Sequence, residues 1–419
     1  MQYFAFSAFQ RNAISGLFIT GHIIDSLILP RVFDTVMDLE GDFEVLKLEV
    51  GRHKEESSWA HLRILANEEQ QLKAILQQLA EIGAEIVNTG DVKTKPAPRD
   101  GALPPDFYST TNHPTQVRID DEWVFVTGTE MDVCIVVDYA AKKAYTKPML
   151  FVKQGEPIAI GHDGIRVRPI ERSRNPDLSF SFMNSEVSSE KPKKLAIHQV
   201  AREIREVKKR GQKVVVVGGP AIIHTGAAPF LSQLIRDGYV DALLGGNAIA
   251  VHDVEAALMD TSLGVNLLTA TPVEGGHHHH MRAINTIRLA GGLREAVEQG
   301  ILTKGVMYEA IQKGIDLVLA GSIRDDGPLP DTITDVIEAQ QQMREAVQDA
   351  GIVLMIATML HSIATGNLLP ASVRTVVVDI NPATVTKLAD RGSWQAIGLV
   401  TDAELFLSEL VLALDLPQD

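Results

Sequence analysis

The segment GSIRDDGPLP at residues 321–330 places two adjacent carboxylates beside a guanidinium. Arg324, Asp325 and Asp326 suit the capture of a carboxylate together with an amine or a ribose hydroxyl. The segment follows a short apolar run that predicts a buried strand, and open α/β sheets bind ligands where such strands end. We therefore interpret these residues as part of a site. The alternative interpretation is a charged, solvated turn.

The segment ATMLHS at residues 357–362 also follows a short apolar run. A helix that begins where a strand ends offers free amide N–H groups to a phosphate, and the hydroxyls of Thr358 and Ser362 add to them. His361 is able to carry a proton near neutral pH. A packed histidine that donates to a carbonyl group is the alternative interpretation.

Asp379 ends a third apolar run, VVVD. An acidic residue in this position is the expected acceptor for the ribose hydroxyls of a dinucleotide. It would favour NAD over NADP, because the additional phosphate of NADP would meet a carboxylate. The alternative is that Asp379 and Asn381 only cap the helix that follows Pro382.

Four consecutive histidines, His277 to His280, follow a glycine pair in the middle of the chain. Consecutive side chains point in different directions and make a poor metal site, so we predict no bound metal. The favoured interpretation is that one or two of them line a substrate pocket, together with Glu274. His224 and His252 are weaker candidates, because each merely follows a predicted strand by a few residues.

The strands that position these residues are predicted most clearly between residues 213 and 253. A β-branched run at 214–217 stops at Gly218-Gly219-Pro220, a helical pattern follows, and a second run at 240–244 stops at Gly245-Gly246. This order is typical of a βαβ unit in a parallel sheet, although the glycine turn lacks the G-x-G-x-x-G spacing. Further strands are predicted at 316–319, 353–356 and 376–379, and helices at 196–210, 254–259, 281–289, 293–299, 332–350 and 403–414.

The first part of the chain has a different pattern. Residues 15 to about 95 predict the β-α-β-β-α-β order of a ferredoxin-like unit. Residues 115 to about 170 contain short strand-like runs at close intervals, which indicates a small β subdomain. We therefore expect an α/β protein with three domains, at residues 1–105, 106–190 and 191–419.

Composition narrows the class of protein. A net charge of −15 without a dense Lys/Arg stripe argues against a nucleic-acid partner. The single cysteine, Cys134, excludes an internal disulfide and fits a reducing cytoplasm. No apolar run approaches the roughly 20 residues that span a bilayer, and the N-terminus lacks the pattern of a signal peptide. We expect a cytoplasmic protein without a membrane partner.

Several of these segments carry a family resemblance. GGPAIIHTGA, LLGGNAIAVHD, LAGSIRDDGPLPD, ATMLHSIATGN and VDINPATVTKLADRGS resemble the archaeal-type ornithine cyclodeaminases. The same module forms the C-terminal part of cyanobacterial arginine dihydrolase/ornithine cyclodeaminase fusions. Residues 15 to about 95 resemble the region named for lysine-oxoglutarate reductase and saccharopine dehydrogenase (LOR/SDH). The family pattern GHRNH reads GHHHH here, which leaves the roles of His278 and His279 open.

The resemblance implies a Rossmann-like domain, similar to the NAD-binding fold of deoxyhypusine synthase, that holds NAD. The cofactor contacts that it implies are Asn247, Ala248, Asp326, Thr358, Met359, Leu360, His361, Ser362, Asp379, Ile380 and Asp402. Arginine dihydrolase activity is not implied, because the match does not include a guanidine-modifying domain.

The implied reaction is the conversion of L-ornithine to L-proline and ammonia by internal hydride transfer. Arg324 or Arg282 would hold the substrate carboxylate, and Asp325, His361 or His280 would accept a proton. Two alternatives remain: a saccharopine-type amino-acid dehydrogenase or imine reductase, and a non-catalytic NAD-dependent amino-acid sensor. We expect a homo-oligomer, a dimer or tetramer, because small α+β units often pair.

Overall fold

A computed structural model describes residues 13–21, 23–24, 28–51, 56–86, 90–168, 193–267, 269, 271, 273, 276–325, 327–391 and 396–416. The chain divides into two compact units, Met1–Phe182 and Met183–Asp419. Within the described residues no helix combines the length and the apolar character that a membrane crossing requires.

The first unit opens with a four-stranded sheet and two helices. In chain order the elements are β1 (Ala13–Gly21), α1 (Ile28–Asp38), β2 (Asp42–Glu49), β3 (Ser58–Ala66), α2 (Glu69–Glu81) and β4 (Glu85–Ile86). The strand order β2-β3-β1-β4 with antiparallel pairing is that of a ferredoxin-like sandwich. Val32 and Val36 of α1 and Ile75 of α2 pack into one buried cluster with Leu17 and Leu62 of the sheet. The ferredoxin-like prediction is therefore confirmed.

A seven-stranded sheet completes the first unit. Its strands are β5 (Lys93–Pro96), β6 (Thr115–Ile119), β7 (Glu122–Thr127), β8 (Cys134–Asp138), β9 (Lys143–Lys147), β10 (Pro157–Ile160) and β11 (Ile165–Val167). Their order is β11-β6-β7-β9-β8-β10-β5. Cys134 is fully buried in this sheet, and burial raises the pKa of its thiol to about 11. A neutral, buried thiol fits a packing role rather than a nucleophile.

The second unit is built on a six-stranded parallel sheet. The strands are β12 (Lys213–Gly218), β13 (Ala242–Gly246), β16 (Asp316–Ala320), β17 (Ala350–Ile356), β18 (Arg374–Asp379) and β19 (Ala396–Val400), and a hairpin is formed by β14 (Thr261–Ser262) and β15 (Val265–Asn266). The order β16-β13-β12-β17-β18-β19 takes the six strands as third, second, first, fourth, fifth, sixth. That is the order of a Rossmann fold, as expected from the sequence.

Helices cover both faces of this sheet. They are α3 (Lys193–Lys209), α4 (Ala221–His224), α5 (Ala228–Arg236), α6 (Asn247–Met259), α7 (His279–Ala290), α8 (Leu293–Glu298), α9 (Val306–Lys313), α10 (Val336–Ala346), α11 (Leu360–Leu368), α12 (Pro382–Arg391) and α13 (Ala403–Asp415). Met343 of α10, Leu368 of α11 and Leu388 of α12 pack on one face, against Val215 and Val353. Helices α3, α6 and α13 also contact strands of this sheet.

Arg205 links the first and last helices of the second unit. Arg205 of α3 donates from Nη2 to the carbonyl oxygens of Ala413 (2.8 Å), Leu414 (2.9 Å) and Leu416 (2.8 Å). These are the carbonyls that the end of an α-helix leaves without intrahelical donors. The guanidinium therefore supplies hydrogen-bond donors to the free carbonyl groups at the end of α13.

The structure corrects several element bounds. Helix α6 begins at Asn247, seven residues before the predicted start, because its first two turns are buried on nearly every side and show no helical period. Helix α10 begins at Val336 rather than Thr332, since the side chain of Asp335 caps it by accepting from the N–H groups of Ile337 and Glu338. The hairpin, α9 and β19 were absent from the sequence prediction.

Candidate functional site

The carboxyl ends of the six parallel strands form one edge of the sheet. Backbone hydrogen bonds connect residues at neighbouring strand ends. The N–H of Gly219, just beyond β12, donates to the carbonyl of Ile356 at the end of β17 (2.9 Å). The N–H of Ala357 donates in turn to Val378 of β18 (2.9 Å). Residues that follow different strands are therefore held in fixed positions relative to one another.

The strand order reverses between β12 and β17, where such folds bind their ligands. The two chain exits touch at this point: a Cβ at position 219 would lie 1.9 Å from the carbonyl oxygen of Ala357. Only glycine fits there. Ala357 has φ +52°, a left-handed conformation that costs roughly 1–2 kcal/mol for a residue with a side chain. Such strain is concentrated at functional sites.

Helix α11 begins directly beyond this point. Its N-cap, Met359, forms no side-chain hydrogen bond to the first turn, so the turn's N–H groups are available to an anion. The hydroxyl of Ser362 donates to the carbonyl of Thr358 within the helix. Thr358 Oγ1 lies 3.3 Å from Nδ1 of His361. Met359 and Leu360 expose 44% and 72% of their surface, so their apolar side chains are free to pack on a ligand.

His361 packs against the end of strand β13, which β12 separates from β17. A Cβ at Gly246 would lie 3.0 Å from the ring carbon Cε1 of His361, so a side chain at position 246 would crowd the ring. Burial lowers the pKa of His361, and the nearby carboxylate of Asp325 partly opposes this effect. The sequence predicted both residues as proton acceptors, and the structure brings them together.

The segment after β16 holds the predicted acidic and basic residues. Asp325 accepts from the N–H of Ser322 (2.7 Å), which makes a tight turn. The side chain of Arg324 is exposed and, among the residues described, has no carboxylate partner. A free guanidinium at this edge is suited to a substrate carboxylate. Asp326 lies outside the described residues.

Asn247 occupies the first position of α6 and is buried. Its side-chain oxygen accepts from the N–H of Leu329 (3.0 Å) and the hydroxyl of Thr332 (3.0 Å). The amide therefore holds the segment after Arg324 against the end of β13. The neighbouring Ala248 is half-buried. Contact of either residue with a cofactor stays a prediction.

Two acidic residues follow the outer strands. Asp379 at the end of β18 is half-buried and accepts from the N–H of Asn381 through Oδ1 (2.8 Å). Ile380 beside it is 74% exposed. Asp402 follows β19 and caps α13 by accepting from the N–H of Glu404 (2.8 Å). Capping and ribose binding are compatible for Asp379, because its second carboxylate oxygen has no partner among the described residues.

The histidine tract spans the single 3-10 turn Gly276–His278 and the start of α7, which packs against α6, and does not follow a strand end. His280 is half-buried in the first turn. His279 Nδ1 lies 2.7 Å from the hydroxyl of Thr261. Arg282 is exposed and lines an open cavity of about 560 Å³ with Met259, His278, Met281, Asn285 and Thr286. Among the described residues, no group of three His, Cys, Asp or Glu side chains is arranged to hold a metal ion.

The structure also brings together residues that the sequence ranked low or missed. His224 and His252, which were weak candidates, have ring centroids 4.7 Å apart. Glu255, Thr261 and Ser262 surround them and were not predicted at all. A glutamate inside the apolar helix AVHDVEAAL was the one signal available.

The arrangement of the strand ends fits the dinucleotide that the sequence predicted. The strand order is that of dinucleotide-binding folds, position 219 beside the crevice between β12 and β17 has room only for glycine, and α11 presents an uncapped N-terminus. The carboxylate of Asp379 has one oxygen without a partner among the described residues, which suits the ribose contact that the sequence predicted.

Comparisons with known proteins cover nearly the whole chain. Residues 198–410 match the family model "Arginine dihydrolase ArgZ-like, C-terminal, Rossmann fold", and residues 114–197 match the first C-terminal region of the same proteins. Residues 15–113 match the LOR/SDH bifunctional enzyme conserved region.

Ornithine cyclodeaminase of Methanothermobacter thermautotrophicus is 54% identical over 391 residues, which are 93% of this chain and 95% of that protein. The bifunctional arginine dihydrolase/ornithine cyclodeaminase ArgZ of Synechocystis sp. is 46% identical over 93% of this chain but only 56% of its own length.

Solved structures agree. The apo structure of ArgZ matches with a TM-score of 0.84 at 42% identity over 96% of this chain and 58% of that one. A LOR/SDH protein of Methanococcus maripaludis S2 matches with a TM-score of 0.74 at 54% identity over 78% of this chain and 98% of that one. With this identity over nearly its full length, the chain belongs to the ornithine cyclodeaminase family.

Proposed function

We infer that this protein converts L-ornithine to L-proline and ammonia with NAD+ as a retained cofactor. The observation that carries this inference is the 54% identity to an ornithine cyclodeaminase over 93% of the chain. A second relative, AgrE, is 43% identical and has been crystallised in a ternary complex with ornithine and NAD+ (TM-score 0.53). The chain spans 57% of AgrE, so the arginine dihydrolase activity of such fusions is not transferred here.

NAD+ binds at the carboxyl edge of the Rossmann sheet. Held there, it would supply reversible hydride transfer with the substrate. Thr358 and the first turn of α11 would hold the pyrophosphate, and Asp379 would accept from a ribose. Asn247, Ala248, Met359, Leu360, Ile380, Asp326 and Asp402 complete the proposed cofactor set.

The substrate needs a partner for its carboxylate and a group that accepts a proton. Arg324 suits the first role, because its guanidinium is exposed and unpaired among the described residues. Arg282, which lines the open cavity on α7, is the alternative. Asp325, whose charge acts on the pKa of His361, and His361 itself suit proton transfer, as does His280.

One experiment tests this function. The purified protein is incubated with L-ornithine and NAD+, and proline, ammonia and NADH are measured together. We expect proline and ammonia in equal amounts, without net formation of NADH. Net NADH in proportion to substrate would instead indicate an amino-acid dehydrogenase. Tight binding of ornithine without any product would indicate a sensor.

We further propose that the protein works in the cytoplasm as a homo-oligomer. The buried thiol of Cys134 is compatible with a reducing compartment. In the first unit, the edge strand β2 exposes Val45, Leu46 and Leu48 by 42–48%. An exposed apolar edge strand is prone to pair with another chain. Light scattering of the purified protein measures the number of copies, and a monomer would contradict the proposal.

A further inference from the structure

A hydrogen-bonded cluster of ionisable side chains lies on α6 and on the segments packed against it. The proposed function gives it no role. Its members are His224 of α4, His252 and Glu255 of α6, Thr261 and Ser262 of β14, and His279 of α7. Every member belongs to the second unit, which carries the Rossmann sheet.

Glu255 is the centre of the cluster, and its side chain has no exposed surface. It accepts from Nδ1 of His252 (3.0 Å), the hydroxyl of Thr261 (3.0 Å) and the N–H groups of Leu263 (3.2 Å) and Gly264 (2.9 Å). Burial alone would raise the pKa of Glu255, but these donors lower it further than burial raises it. Glu255 is therefore a buried carboxylate that is ionised at neutral pH.

The charge on Glu255 fixes the tautomer of His252. Because the carboxylate only accepts, Nδ1 of His252 carries a hydrogen, and the lone pair of the neutral ring lies on Nε2. A proton taken up by Nε2 creates a cation that Glu255 balances. This is the arrangement in which a carboxylate orients a histidine general base. The side chain of His252 remains 12% exposed, so the ring is not sealed off.

His224 completes the reacting pair. Its ring meets that of His252 at 63° with centroids 4.7 Å apart, and its Nδ1 lies 2.6 Å from the hydroxyl of Ser262. Burial and the neighbouring His252 lower the pKa of His224 to about 4. His224 is thus neutral under ordinary conditions. With one carboxylate available, the two rings accommodate a single positive charge.

The second arm of the cluster reaches the histidine tract. The hydroxyl of Thr261 has one hydrogen, which points to the carboxylate of Glu255, the stronger acceptor. Nδ1 of His279 must therefore donate to Thr261 Oγ1. Glu255 in this way holds both His252 and the start of α7.

The proposed reaction requires one proton to move between two nitrogens. The δ-nitrogen of ornithine arrives as an ammonium group, with a pKa of about 10.4 as in lysine. It must lose a proton so that its lone pair can form the new bond to Cα. The old bond between Cα and the α-nitrogen then breaks with its electron pair going to that nitrogen, which must gain a proton to leave as ammonia. The same proton balances both steps.

We propose that His252, oriented by Glu255, carries this proton from the δ-nitrogen to the departing α-nitrogen, and that the amine end of the substrate binds against the pair of His224 and His252. The inference rests on the proposed function. His252 is the catalytic residue of the cluster, whereas Glu255 is a positioning residue. A histidine suits the task because it both accepts and returns a proton near neutral pH.

The test is chemical rescue of a His252→Ala variant. We expect kcat for proline formation to fall by about 10²–10⁴-fold, the usual contribution of an acid–base group. Added imidazole should restore turnover, and a series of methylimidazoles should do so in proportion to basicity. A His198→Ala variant, altered on α3, is the control and should keep its rate without responding to imidazole.

The pH profile gives a second readout that lost packing would not mimic. The acid-side fall of kcat/KM should disappear in His252→Ala and return at the pKa of whichever imidazole is added. The other ionisable groups around His252 are His224 from α4, Glu255 and, through Thr261, His279 from α7, while Asp253 faces α9 instead. A fall that persists unchanged in the variant would overturn the proposal.

Two controls separate failure of the inference from other failures. If the wild-type protein makes no proline, the proposed function fails; if it makes proline and His252→Ala keeps its rate within about threefold, only the proton carrier is refuted. NAD+ affinity, measured by titration calorimetry, should be unchanged in a folded variant. Should His252→Ala not fold, Glu255→Gln replaces it: we expect a fall in kcat with little change in the KM for ornithine, and an unaltered kcat would overturn the proposal.

Discussion

At the scale of single residues, a substitution of Asp379 tests whether NAD+ binds at the carboxyl edge of the Rossmann sheet. An Asp379→Asn substitution keeps an oxygen for the N–H of Asn381 but removes the charge offered to a ribose. A hydrogen bond to a charged group contributes about 1.5–3 kcal/mol, so we expect NAD+ to bind about ten- to a hundredfold more weakly. The ratio of the Kd for NADP+ to the Kd for NAD+ should also decrease.

Titration calorimetry with both cofactors measures these effects. An Asp316→Asn variant provides the matched control, since Asp316 begins β16 and so lies at the opposite edge of the same sheet. Equal losses in the two variants would place the cofactor elsewhere.

Asp253 makes a prediction about pH and stability. It is buried, accepts from the N–H groups of Val306 and Met307, and has its pKa raised by burial from 3.8 to about 6. A carboxyl group whose folded pKa lies above its unfolded value binds its proton more tightly when folded. Its contribution to stability is therefore full below about pH 4 and is lost as the pH rises to about 6.

An Asp253→Asn variant cannot titrate at this position. The unfolding free energy of the wild type relative to the variant should fall by roughly 2 kcal/mol between pH 4 and 6, out of about 3 kcal/mol over the whole titration, because one pKa unit corresponds to about 1.36 kcal/mol. Urea unfolding of both proteins at several pH values measures the difference, in which all other titrations cancel. A difference that is constant with pH would contradict the assignment.

Some of the site residues were predictable from the sequence, and others were not. Asp325 and His361 were predicted because each follows a short apolar run that indicates a buried strand, and strand ends converge in parallel sheets. Glu255 was missed because a single glutamate in an apolar helix gives no sign of its partners. His224 and His252 are 28 positions apart, and only the packing of α4 on α6 brings their rings into contact.

At the scale of elements, the hairpin of β14 and β15 makes a further prediction. Gly264 has φ +72°, and a Cβ there would lie 2.5 Å from the carbonyl carbon of Gly276, just before the histidine tract. Gly300 has a similar φ of +70°, but open space surrounds its Cα. The two glycines separate the cost of conformation from the cost of a clash.

Both Gly264→Ala and Gly300→Ala should lose roughly 1–2 kcal/mol from the left-handed backbone. Gly264→Ala should lose about 1–3 kcal/mol more from overpacking, and its turnover should fall because the start of α7 shifts. Urea unfolding and a proline assay provide the measurements. Equal destabilisation of the two variants would show that the hairpin makes room for the new Cβ at position 264 without an overpacking cost.

Element prediction followed the strength of local patterns. The apolar runs at β12, β13 and β18 were predicted as strands, since strands buried on both faces are apolar throughout. The start of α6 was misplaced for the same reason: a helix that is buried all round has no polar stripe to reveal its period. The hairpin's two-residue strands are too short for any periodicity to appear.

At the scale of the whole molecule, the two units have separate buried cores. A ligand stabilises the part of a protein that binds it, by about 2.7 kcal/mol at a hundred times its Kd. We expect NAD+ to slow amide exchange in peptides from β12, β17 and α11 while leaving β3 of the first unit unchanged. Hydrogen-exchange mass spectrometry with and without NAD+ measures this. Slowing confined to the first unit would refute the assigned cofactor domain.

The general architecture was accessible from the sequence, because the β-α-β-β-α-β order and the alternation of helices with buried strands each specify a fold class. The division into domains at residues 105 and 190 stays a prediction. In the structure β5 pairs with β10, so a strand from before residue 105 belongs to the seven-stranded sheet. A four-residue strand of alternating lysines gives no sequence sign of that partner.

The contact of Arg205 with the carbonyls of α13 makes the second unit a candidate for circular permutation. It brings residue 416 beside the middle of α3, roughly 18 Å along that helix from Lys193 at a rise of 1.5 Å per residue. About ten glycine and serine residues would bridge this gap. New termini opened at the exposed turn around Gly300 would then leave the parallel sheet and its cofactor edge uninterrupted.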